Sequence, residues 1–219
     1  MLGLTQTLLV IHVLSGFEAL AAGSFSMLSQ KGGKLHRLSG KCFFAGMSGV
    51  FASAVFLSIL KPNPFLFMVA FFSYYLTCSG YRALHRNRAP ALPDWLISIA
   101  GTVFGIGLLV YSCFALFLDG MFALVPFSFG AVCLYSAVMD LKSFNLGESD
   151  SQARWANHGI KMGGAFAAAV TAFIVVNFSL GSFNWVLWIL PGLFIGGWVS
   201  LMVKRRGSVI SSKSEFKNR

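Results

Sequence analysis

Apolar runs of about 20 residues alternate with short polar gaps along the chain, at about 4–28, 39–60, 65–84, 95–118, 121–141, 158–180 and 185–203. Runs of that length match the hydrocarbon thickness of a bilayer at a helical rise of about 1.5 Å per residue. The pattern predicts an all-α fold: an integral membrane bundle of seven transmembrane helices forming one domain over 1–203. A basic tail over 204–219, rich in Ser, is expected to be disordered.

The polar gaps are not equivalent. Every Lys and Arg except Lys61 falls in alternate gaps or at their edges. Lys31, Lys34, Arg37 and Lys41 follow the first run, Arg82, Arg86 and Arg88 the third, and Lys142, Arg154 and Lys161 the fifth. Lys204, Arg205, Arg206, Lys213, Lys217 and Arg219 follow the last. Basic residues are held on the cytoplasmic side during insertion, which predicts the N-terminus outside and the C-terminus cytoplasmic.

Composition agrees with that reading. With 56% hydrophobic and 11% charged residues and a mean hydropathy of +0.73, a soluble domain of this size would leave much apolar surface unburied. The net charge of +10 is spread over loops beside apolar helices, a pattern that orients a membrane protein and argues against nucleic acid as partner. The expected partner of those loops is the bilayer with its anionic headgroups, and nothing in the sequence sets an oligomeric state. Cys42, Cys78, Cys113 and Cys133 lie on separate spans without C-x-x-C spacing, as packing residues do.

Helix contact inside a bilayer depends on small residues that let backbones approach. Gly101/Gly105, Gly159/Gly163, Gly192/Gly196 and Ala45/Gly49 have the small-x-x-x-small spacing. Pro126 and Pro191 fall within the fifth and seventh spans, where each frees a carbonyl.

Span one places His12 on a stripe of small residues, Ser15, Gly16, Ala19, Ala22, Gly23 and Ser26, so this imidazole is expected to face protein. Glu18 borders that stripe near mid-span, where a carboxylate must be paired, hydrated or protonated. Most other reactive side chains gather at the cytoplasmic ends. His36 opens span two, Tyr74, Cys78, Tyr81 and His85 share one face of span three, and Tyr75, Ser79 and Arg82 share the next. Asp140 ends span five, and His158 opens span six with Met162 one turn on. Convergence of these ends would surround one site at headgroup depth with His36, His158, Arg82 and Asp140, flanked by Tyr81, Met162 and, less centrally, His85.

The segments His12, Lys31-Gly-Gly-Lys-Leu-His36-Arg37, Ser79-Gly80-Tyr81-Arg82-Ala83-Leu84 and His158 to Met162 resemble an uncharacterised family of bacterial membrane proteins, a domain of unknown function. The resemblance covers most of the chain and implies importance for His12, His36, Arg82, His158 and Met162. His85 lies outside the pattern, and the family implies no reaction.

These residues are compatible with several functions. Two imidazoles on facing helices can ligate haem iron, and the same site can take a quinone, giving a membrane redox protein. His36, His158 and Asp140 around a divalent metal would instead make a hydrolase of lipid or acyl substrates. His12 and Glu18 in the membrane would suit a proton- or ion-coupled transporter, although no internal repeat is visible. A non-catalytic membrane subunit is the fourth alternative.

Overall fold

Without water to serve the backbone, an apolar run can satisfy its N–H and C=O groups by closing into a helix. The computed structural model describes residues 2–86, 89–147 and 151–217, and these form an all-α bundle. The helices are α1 (Leu2–Leu28), α2 (Lys34–Leu60), α3 (Pro64–His85), α4 (Leu92–Asp119), α5 (Leu124–Leu146), α6 (Ser151–Asn177) and α7 (Asn184–Lys217). Short 3₁₀ turns at Gly120–Ala123 and Gly181–Phe183 lead into α5 and α7. Of the expected basic loop residues, Arg88 and Arg219 lie outside the described residues.

Six of these helices are long and apolar enough to cross a membrane, and α3 is the exception. The reason is its position. α3 packs against α2, α4, α5 and α6, so Tyr75, Thr77 and Ser73 are buried among helices and α3 needs less apolar character than its neighbours. The outer helices instead expose Leu14, Phe25, Phe117, Leu193 and Phe194, as side chains facing acyl chains do. The bundle is thus a membrane protein in which the one helix that falls short of a span packs among four others.

Local signals set the helix ends. Pro64 stands at the first position of α3, and the Asn63 side chain accepts from the Leu66 N–H at 3.0 Å, which satisfies one of the free donors of the first turn. α5 ends at Gly147, whose φ of +64° is the left-handed conformation that glycine adopts without penalty. Pro126, expected inside a span, falls instead in the first turn of α5, where its missing N–H breaks no helical bond. Pro191 does lie within α7. That helix runs beyond the expected end near 203 to Lys217, so the tail continues in helical backbone; Lys and Arg are good helix formers and no proline follows Pro191.

Close packing follows the small residues, though not all of them. A Cβ on Gly46 would meet the Ala19 nitrogen at 2.9 Å, which shows α1 and α2 in backbone contact. Gly105 and Gly130 bring α4 and α5 together in the same way, and Gly163 admits Val199 of α7. A methyl group added at Gly192 or Gly196 would meet nothing within 4 Å, so these two glycines face away from the bundle. The four cysteines are free.

Candidate functional site

The end of the bundle that carries the basic loops holds a cavity of about 390 Å³ between the α1–α2 hairpin and helices α3, α6 and α7. His36 and Arg37 come from the first turn of α2, Tyr81 and His85 from the last turns of α3, and His158 and Met162 from α6. Phe43, Leu84, Phe166, Val199 and Val203 supply apolar walls. Lys31, Arg37 and Lys41 supply positive charge, and among the described residues no acidic side chain lines the space.

His36 and His158 come together here in an edge-type contact, with ring centres 6.4 Å apart and planes at 80°. Each ring is oriented by a backbone carbonyl. Nδ1 of His158 lies 2.8 Å from the Gly80 carbonyl oxygen, and Nδ1 of His36 lies 3.0 Å from that of Ser26. A carbonyl can only accept, so Nδ1 carries the proton in both rings and Nε2 keeps its lone pair when the ring is neutral. His85 is held likewise, 2.9 Å from the Tyr81 carbonyl oxygen, and its ring stacks on Tyr81 at 4.1 Å. The Lys31 ammonium donates to the Ser26 and Met27 carbonyls at the end of α1, at 2.9 and 2.6 Å. Burial lowers its pKa below the usual lysine value.

Two expected members belong elsewhere. Arg82 turns from the cavity to grip Asp94 of α4, its Nε 2.5 Å from Oδ1 and its Nη2 2.9 Å from Oδ2. Asp94 also accepts from the Ala91 N–H at 2.8 Å, so one carboxylate caps α4 and ties it to the end of α3. Asp140 is not a partner of the histidines either: it forms an ion pair with Lys161 of α6, and both are buried, at 5% and 4% exposure. Tyr75 and Ser79 donate to Asp140 Oδ2 at 2.9 and 2.7 Å, while the Lys161 ammonium also donates to Ser79 at 2.7 Å. Such complete pairing is what makes a buried carboxylate tolerable.

His12 faces protein as expected. Ser53 donates to the Gly49 carbonyl at 2.6 Å and accepts from His12 Nδ1 at 3.0 Å, which joins α1 to α2 far from the cavity. Glu18 is exposed on the outer side of α1 and joins no site. Among the described residues no group of three or more His, Cys, Asp or Glu has the spacing of a metal site.

Sequence reasoning read Lys161, Arg37 and Lys41 only as bases that orient the chain, and it missed Asp94 entirely. A signal for Asp94 existed: Pro93-Asp94 opens a helix, where an acidic side chain can reach back to a free N–H. No family model, curated protein or solved structure matches the chain.

Proposed function

We propose that the chain is a seven-span protein of the bacterial inner membrane, N-terminus outside, which holds a redox ligand, haem or quinone, at its cytoplasmic end. For the seventh span, α3 has 22 residues, about 33 Å at helical rise, and its neighbours shield its polar side chains. For the orientation, Lys31, Arg37, Lys41, Arg82, Arg86 and Arg154 all belong to the same end of the bundle.

The observation that carries the ligand reading is the His36–His158 pair. Both rings line one apolar cavity with Nδ1 tied to a carbonyl, so each neutral ring offers the Nε2 lone pair, suited to a metal centre or to the hydroxyl of a reduced quinone. The hydrolase reading is weaker because Asp140, its third ligand, is consumed by Lys161, Tyr75 and Ser79. The full chain purified in mild detergent from membranes of a haem- and quinone-producing host should carry one of these ligands, detected by visible spectroscopy or by solvent extraction. Recovery of neither would overturn the proposal.

A further inference from the structure

A divalent metal and a haem iron make different demands on a protein. A structural or hydrolytic metal site takes three or four protein ligands, whereas a porphyrin fills four positions itself and leaves two axial ones. The cavity brings two imidazoles into contact; the third that lines it, His85, stacks on Tyr81, and among the described residues no three His, Cys, Asp or Glu side chains group closely enough to hold a metal ion. That donor set is incomplete for zinc and complete for haem.

The spacing agrees. Two iron–nitrogen bonds of about 2 Å, each extended by about 1 Å from nitrogen to ring centre, separate axial imidazole centres by about 6 Å; the observed separation is 6.4 Å. The hydrogen bonds from Nδ1 to the Gly80 and Ser26 carbonyls are the outer contacts that orient a ligating imidazole. Room for a flat macrocycle exists beside the rings: Gly40 lies one turn after His36, lines the cavity, and would meet nothing within 4 Å if it carried a Cβ.

Charge separates haem from a quinone. A quinone head is neutral, but haem carries two propionates, and Arg37 and Lys41 stand four residues apart on the cavity side of α2 with no acid among the described residues of the lining. We infer that His36 and His158 are the axial ligands of one haem iron and that Arg37 and Lys41 receive its propionates. This inference rests on the redox-ligand reading above and selects one of its two ligands.

The test is the visible spectrum of the full chain, purified from a host supplied with a haem precursor. The expected result is one haem per chain with a six-coordinate, low-spin spectrum. His36→Gly and His158→Gly should each lose that spectrum and regain it when free imidazole is added, a rescue that a merely structural histidine would not show. Arg37→Gln with Lys41→Gln should keep the spectrum but release haem to apomyoglobin at least tenfold faster, and Lys61→Gln, which removes a charge at the other end of α2, should change neither. Haem bound equally by the glycine variants, or absent while a quinone is retained, would overturn the inference, and the second result would leave the redox-ligand reading standing. Absence of both ligands would sink both.

Discussion

Lys161 and Asp140 form a buried ion pair that joins α6 to α5, with Tyr75 and Ser79 of α3 completing the carboxylate's hydrogen bonds. Breaking such a pair from one side leaves a charge without water or partner. Lys161→Met should therefore destabilise the bundle by about 3–5 kcal/mol. Adding Asp140→Asn removes the orphaned charge while keeping an acceptor for Tyr75 and Ser79, and should restore most of the loss. Thermal unfolding in detergent distinguishes these; a double variant no more stable than Lys161→Met would contradict the account.

Arg82 binds Asp94 through two nitrogens, so its geometry matters as well as its charge. Arg82→Lys keeps the charge and loses the fork, and should cost about 1–2 kcal/mol; Asp94→Ala, which also removes the cap on α4, should cost about 2–4 kcal/mol. The same unfolding measurement checks both, and equal effects would show that the cap contributes nothing.

Gly46→Leu should separate the hairpin helices, because the first added carbon already meets α1 backbone at 2.9 Å. The expected cost is about 1–3 kcal/mol, read as weaker disulfide cross-linking between cysteines placed on α1 and α2. Gly196→Leu, on an open face, should leave cross-linking unchanged.

Gly40→Phe should fill the cavity beside His36 without disturbing helix contacts, since that position opens into empty space. Bound ligand should fall at least tenfold while the unfolding temperature of the ligand-free protein stays the same. Undiminished ligand with Phe at this position would place the binding site elsewhere.

Topology is tested by labelling. A cysteine at Asn63, in the turn between α2 and α3, should react with an impermeant reagent added to intact cells, and a cysteine at Lys213 should react only after lysis. The reverse pattern would invert the proposed orientation.

Helix positions were legible because each apolar run is also a helix, and the pairing of His36 with His158 followed from topology that brings their helix ends to one depth. The partners of Arg82 and Asp140 were not legible in the same way. Arg82 and Asp94 meet because the chain reverses between α3 and α4, and nothing in the periodicity of either helix specifies that contact. Lys161 was concealed by its neighbourhood: a lysine near the start of an apolar run looks the same whether it reaches for headgroups or turns inward to a carboxylate. Spacing along one helix tells which residues share a face, but not which neighbour that face meets.

Consecutive residues of α3 hold two different groups of α6. The Ser79 hydroxyl accepts from the Lys161 ammonium, and the Gly80 carbonyl accepts from His158, three residues earlier on the same helix. Gly80 also leaves no clearance there, since a methyl group on it would lie 3.0 Å from the Lys161 side chain. A slide or roll of α3 against α6 thus cannot release one group and spare the other. The imidazole and the charge pair turn on a single axle, and any movement of α3 against α6 that redirects His158 must also tear Lys161 from its seat.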